Sequence, residues 1–409
     1  MATGQDERGG AARAAVARER VGRPAHDARP SLVEVGPSWA RRYRRWARRL
    51  RAALGDAFDG GILLDLAHVG STGVPGLVAK PTLDLMARVH PWPPPPAHEA
   101  ALRGLGFVAR GEHGLPGRAY YTYGSHQVHL HVVGSESDHW ARHLALRDLL
   151  RAVPEARDRY AAAKRAALEA ASRRADADLA RRAYQDAKAG VVSALEREAL
   201  TWRAARTGFV PLVRLARWLA SAPARWAVAG GWALDLVAGA PARHHEDVDV
   251  AVDREDAVRL LDRLAAVGVE VAWVTEDRDG AAGYRRRTVG ERPPSGVHQA
   301  HARRSGLWLD VLLEPWSGDT WCYRRAPEVV LPLAQAVRLV RIGAVEVPVL
   351  APEAGLLFKA TTFGRARPRA KDDADLERML PLLDPPARAW LRGAIAATAS
   401  GHPWLDRLA

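Results

Sequence analysis

The chain has 409 residues, 48% hydrophobic and 26% charged, which suits a soluble protein of two or three ordinary domains. Its net charge of +13, from 60 Lys and Arg against 47 Asp and Glu, suits phosphate-bearing partners such as nucleotides; RNA stays open, although no aromatic-interleaved basic stripe for single strands stands out. The single cysteine, Cys322, excludes a disulfide framework and a cysteine-built zinc site within one chain, no stretch has the roughly 18 apolar residues of a membrane span, and no signal peptide leads the sequence, so a reducing cytoplasm is the expected location.

Residues 1–30 are rich in Ala, Arg and Gly with few large apolar side chains, and are expected to form a disordered tail. A first domain is expected over 31–200. Its opening helix, "SWARRYRRWARRLRAAL", sets Trp39, Tyr43, Trp46 and Leu50 on one face. Gly70 and Ser71 mark a strand-to-helix turn that suits phosphates, and Lys80 stands before the strand "TLDLMARV", which carries Asp84. The position two after Asp84 is Met86, which cannot bind magnesium. A proline-rich connection leads to "HQVHLHVV", a strand with His129 and His131 on one face, able to hold a metal, a phosphate or the polar end of a substrate. Helix is expected from about 138 to 206, with Tyr160 and Lys164 one turn apart, facing a cleft or water.

A second domain is expected over 207–409. The junction near 200–208 has no Pro or Gly richness before Gly208, which predicts a helical connection. The strand "RWAVAG" ends in Gly230-Gly231 and turns into a helix, where backbone amides can approach an anion. "HHEDVDVAVD" then alternates: Asp247, Asp249 and Asp253 point one way, Val248, Val250 and Val252 the other. Carboxylates so close repel unless a cation neutralises them, and Asp247 and Asp249 have the spacing to hold two magnesium ions. "SGLWLDVLLEP" is another alternating strand and supplies Asp310 as a third carboxylate, which would complete a two-metal cluster if strand pairing brings it beside the first pair. Arg243 and Lys359 are candidates to reach a phosphate, and Asp372 or Asp373 is expected to cap a late helix. Further carboxylates stand at Glu276, Asp277 and Asp279 and at Glu314, on the same face as Asp310.

These strings carry two family resemblances. "HVGSTGVPGLVAKPTLDLMARV", with "GLPGRAYY" and "VHLHVV", resembles the GrpB family, a group of predicted nucleotidyltransferases, over about residues 31–198. "GGWALDLVAGAPARHHEDVDVAV", with "LWLDVLLEP", "LAPEAGLLFKA" and "KDDADLERMLPLL", resembles aminoglycoside 2''-adenylyltransferases of the polymerase-beta-like nucleotidyltransferase superfamily. The resemblances imply an α+β architecture: two such folds in tandem, each a mixed sheet flanked by helices, with a helical C-terminal part. They imply ATP or another NTP as co-substrate, two Mg²⁺ ions on Asp247, Asp249 and Asp310, and triphosphate contacts at Gly230, Gly231, Arg243 and Lys359. Transfer of a nucleoside monophosphate, AMP from ATP, to the hydroxyl of a small, aminoglycoside-like molecule is the leading expectation. The alternatives are a protein side chain or RNA end as acceptor, and a nucleotide-binding regulatory or scaffold protein. In the first half, Gly70, Ser71, Lys80, Asp84, His129 and His131 are expected to bind nucleotide, with chemistry left open.

Overall fold

The computed structural model describes residues 30–135, 137–220, 222–276, 282–361 and 368–409. The tail expected over 1–30 therefore lies, but for Pro30, outside the described residues, as do Asp277 and Asp279.

The first half begins with β1 (Val33–Glu34), α1 (Ser38–Leu54), β2 (Leu63–Val69), β3 (Val78–Ala79) and β4 (Leu83–Val89). After α2 (Pro96–Gly104) come β5 (Phe107–Ala109), β6 (Arg118–Tyr123) and β7 (Val128–Gly134), then α3 (Asp138–Ala152), α4 (Pro154–Ser172) and α5 (Ala177–Thr207). Five strands form a mixed sheet in the order β2-β4-β7-β6-β5, with β4 and β7 parallel at its centre. Helix α1 forms because Trp39, Trp46 and Leu50 recur at helical spacing and are buried against one face with Leu83, Leu85 and Ala87 of β4. The alternate side chains of β4, Asp84 and Met86, take the other face, where Met86 packs on Trp140 and Leu144 of α3.

Helix α5 continues to Thr207 and stops at Gly208 (φ 49°), directly before α6 (Val210–Leu219). The second half proceeds through β8 (Trp226–Val228), α7 (Gly230–Ala238), β9 (Val248–Asp253) and α8 (Ala257–Ala266). Four strands follow, β10 (Glu270–Glu276), β11 (Ala282–Arg286), β12 (Gln299–Arg304) and β13 (Leu307–Glu314). A separate hairpin, β14 (Thr320–Tyr323) with β15 (Ala326–Pro332), leads through α9 (Leu333–Ala336) to β16 (Val337–Ile342) and β17 (Val345–Leu350). The end is helical: α10 (Pro352–Ala360), α11 (Ala370–Met379), α12 (Pro385–Thr398) and α13 (Trp404–Arg407).

The second sheet has eight strands in the order β11-β10-β12-β13-β9-β8-β17-β16, and again a parallel pair, β9 and β13, sits inside it. Val248, Val250 and Val252 pack into one core with α6 and α8, whereas Ala251 faces the other core, built from the C-terminal helices. The alternation read from the sequence is thus realised on two packed faces. Mixed sheets flanked by helices and a helical C-terminal part are the observed architecture. Among the described residues, no helix is long and apolar enough to cross a membrane.

Candidate functional site

The parallel register of β9 on β13 places Asp249 directly beside Asp310, although 61 residues of chain separate them. Both carboxylates are partly exposed. Gly230, which opens α7 after β8, lies against the first of them: its φ is +62°, and a Cβ there would stand 1.7 Å from Asp249 Oδ2. Only glycine gives both the left-handed backbone and the approach to the acid. Asp247 lies just before β9 and is exposed, with its carbonyl accepting from Trp232 Nε1 at 2.9 Å.

Gln299 on β12 donates its amide to both oxygens of Asp310, at 2.7 and 2.8 Å. His301, Asp310's antiparallel partner on β12, lies 3.7 Å from Asp310 and 2.6 Å from the Tyr284 hydroxyl. Burial, with His90 and Arg88 nearby, pulls His301 down to about 3, so it is neutral beside the acid. Sequence reasoning missed Gln299, His301 and Tyr284, because only strand pairing brings them to Asp310.

Gly231 packs against His245 and Arg243; a Cβ there would stand 2.7 Å from the Arg243 guanidinium. Arg243 lies 3.6 Å from Asp375, which Lys359 also contacts at 2.9 Å, with Asp372 at 3.5 Å from the same ammonium. Asp372 and Asp375 are therefore buried counter-ions in the first two turns of α11 and not its cap; Arg369 occupies the N-cap position and makes no side-chain cap bond. Asp235 joins the group through His245 (2.7 Å) and Arg378 (2.5 Å).

Two carboxylates leave the site. Asp253 is 1% exposed and bound by Arg225, at the far end of β9. Glu314 is fully buried 3.7 Å from Arg324, and burial pushes its carboxyl up to about 7, so it lines no open acidic cleft.

The donor set tests the fit of magnesium. Asp249 and Asp310 are hard oxygen donors on adjacent strands, and Gly230, having no Cβ, leaves room for the Asp249 carboxylate; both suit such an ion. The expected trio does not come together: among the described residues no three His, Cys, Asp or Glu side chains are grouped to hold a metal. Asp249 and Asp310 are the two carboxylates assembled on neighbouring strands, and Asp247 is exposed just before β9.

The first half repeats this plan. Gly70, with φ +64°, sits against Asp84, and a Cβ there would stand 2.5 Å from Asp84 Oδ2. Asp84 is paired across parallel strands with His129, as Asp249 is with Asp310. This equivalence corrects the expectation that Met86 replaces the second acid. Asp84 itself is the second acid; the lost first acid is Thr82, whose hydroxyl donates to the His126 carbonyl at 3.0 Å. His129 Nδ1 lies 3.2 Å from Asp84 Oδ1, whereas His131 turns to Arg118 at 3.1 Å. Burial opposes the charge on Asp84, but His129, His131 and Lys80 outweigh it and hold its carboxyl at about 2. Lys164 faces inward, its ammonium donating to Ser71 Oγ at 2.6 Å.

Residues 29–198 match the GrpB protein family, and residues 211–281 match aminoglycoside-2''-adenylyltransferase. UPF0157 protein BH1888 of Halalkalibacterium halodurans is 31% identical over 175 residues, 42% of this chain and 84% of that protein. UPF0157 protein YqkA of Bacillus subtilis is 28% identical over 138 residues, only 38% of its own length. A crystal structure of ANT(2'')-Ia in complex with adenylyl-2''-tobramycin superposes with a TM-score of 0.34 at 15% identity, covering 46% of this chain and 98% of that one. The similarity of the second half supports a nucleotidyltransferase enzyme. The chain belongs to the GrpB family, with an aminoglycoside-2''-adenylyltransferase domain following the GrpB domain in tandem.

Proposed function

We propose that the second half transfers a nucleoside monophosphate, AMP from ATP, to a hydroxyl of a small molecule, with an aminoglycoside-like compound the leading acceptor. The observation that carries this reading is Asp249 beside Asp310 on parallel strands, over a glycine turn whose backbone presses against the first acid. In the reaction the acceptor oxygen forms a bond to the α-phosphorus, the bond to the pyrophosphate oxygen breaks, and the hydroxyl proton passes to a carboxylate. Asp310 is the group assigned to take that proton, held in orientation by the Gln299 amide. Magnesium held by Asp249 and Asp310 would supply charge neutralisation of the triphosphate and the leaving pyrophosphate. The amides at Gly230 and Gly231, opening α7, are assigned to the phosphates, with Arg243 at their side. Lys359 reaches phosphate only by giving up Asp372 or Asp375 and otherwise fixes α11 against α10.

The test is incubation of the full chain with labelled ATP, magnesium and an acceptor panel. Acceptor-dependent pyrophosphate release is expected, and Asp249→Asn or Asp310→Asn is expected to reduce it by more than about a thousandfold. Unchanged turnover in both variants rejects the assignment. Labelling of protein or RNA in place of the small molecules would move the acceptor class.

A further inference from the structure

The first half gathers three lysines that the transfer site does not use. Lys164 of α4 is 3% exposed and donates to Ser71 Oγ, which also lies 3.4 Å from the Tyr160 hydroxyl. Lys80, ahead of β4, and Lys188 of α5 both lie over the Tyr184 ring, their nitrogens 5.4 and 5.7 Å from its centroid. Tyr184 is 1% exposed, and its buried hydroxyl has no hydrogen-bond partner. None of the three lysines forms an ion pair with an Asp or Glu among the described residues. Asp84 faces all three but is engaged by His129; Glu196, which also faces Lys188, is held by Arg142 at 2.6 Å.

A buried ammonium without a counter-ion is costly, and the two half-exposed ammonium groups beside Lys164 add to its cost. Burial and then Lys188 pull Lys164 down to about 7; Asp84 opposes them, and Lys80 adds a smaller push in the same direction as Lys188. An anion with several oxygens would pair the ammonium groups and give the Tyr184 hydroxyl an acceptor. The contrast with the second half is chemical. There, two acids face each other and call for a cation; here, His129 takes the place of one of them beside Asp84, and the cations are side chains.

We propose that Lys80, Lys164 and Lys188, with the hydroxyls of Ser71, Tyr160 and Tyr184, bind a phosphate or polyphosphate group directly, without a divalent ion. This site goes beyond the transfer reading and stands whether or not the second half is active.

The experiment is calorimetric titration of the full chain in EDTA, with inorganic tripolyphosphate in one arm and ATP in another. Saturable binding is expected in both. Lys164→Met and Lys188→Met should each weaken it by about ten- to a hundredfold, and Arg341→Met, which removes an exposed charge elsewhere, should leave it unchanged. ATP binding tighter than tripolyphosphate identifies a nucleotide ligand, and equal affinity identifies the phosphate chain alone; either supports the site. Binding that needs magnesium overturns the proposal, and so does equal affinity in wild type and the lysine variants, the mark of diffuse attraction to a basic chain. Should Lys164→Met fail to fold, the half-exposed Lys188 and Lys80 carry the comparison through Lys188→Met and Lys80→Met.

Discussion

Gly230 concentrates two constraints in one residue. Its backbone is left-handed, which costs any other L-residue about 1–2 kcal/mol, and a methyl group there would collide with the Asp249 carboxylate. Gly230→Ala should therefore lower stability by about that amount while nearly abolishing transfer, measured by urea unfolding alongside pyrophosphate release. An alanine variant with full turnover would remove the glycine turn from the mechanism. Lys164 carries a different penalty, with a definite pH signature. Its folded-state value lies near 7 because of burial and then of Lys188, while the unfolded chain keeps the ordinary 10.5. Below pH 7 the ammonium is charged in both states and the full cost of burying it is present. As pH rises above that, the folded lysine loses its proton first, so stability rises. Lys80 and Lys188 are shifted the same way, whereas Tyr160 and Tyr184, raised by burial, oppose the trend only once unfolded tyrosine ionises near 10. Urea midpoints measured between roughly pH 7 and 9 should climb in the wild type and climb less in Lys164→Met. Parallel lines would show that the ammonium is not paying a burial cost.

At the scale of strands, β9 and β13 hold the two acids in register through the apolar side chains between them. Leu309, next to Asp310, is 1% exposed, so Leu309→Ala should destabilise by about 2–5 kcal/mol in denaturant unfolding, and should loosen the acid pair without touching it. The alternation of acids and valines in β9 was legible because side-chain direction in a strand has period 2. That Asp253 leaves the site was not, since its burial depends on Arg225, far off in sequence. Nor was the alignment of Asp84 with Asp249 legible: counting two residues forward from Asp84 led to Met86, whereas the parallel neighbour His129 and the glycine contact align Asp84 with the second acid. The lysine cluster had left a trace in local spacing. Tyr160-Lys164 and Tyr184-Lys188 are the same pair at i,i+4 on consecutive helices, an echo that gains meaning only when α4 packs along α5. Which side chains meet across tens of residues is decided by topology, and a single sequence carries that only weakly.

Across the whole molecule, the two halves meet where the second one begins its acidic strand. Phe58 and Leu64 of the first half pack with Ala272 and Trp308 of the second, and His90 lies 4.8 Å from the Tyr284 ring. The exposed pair Arg286–Asp59 at this border contributes little, as surface ion pairs do. Arg88 is different: it is 5% exposed, lies over the Trp308 ring at 4.8 Å, and reaches Glu246 at 3.4 Å. Glu246 immediately precedes Asp247, and burial pushes its carboxyl up to about 7 despite Arg88. In the folded chain it keeps a proton that the unfolded chain loses above the ordinary 4.5, so its contribution falls as pH rises from there to about 7. Arg88→Ala removes the cation that limits this shift and should cost about 3 kcal/mol at neutral pH, with a steeper loss of stability on going from roughly pH 5 to 8. Adding Glu246→Gln to that variant should recover most of the loss, because no buried carboxyl then remains to ionise, and the pair should be strongly non-additive in a double-mutant cycle. Since the same loop presents Asp247, nucleotidyl transfer should fall in Arg88→Ala and return partly in the double variant. Additive stabilities, or turnover indifferent to Arg88, would mean that the GrpB domain is carried alongside the transferase without bracing it.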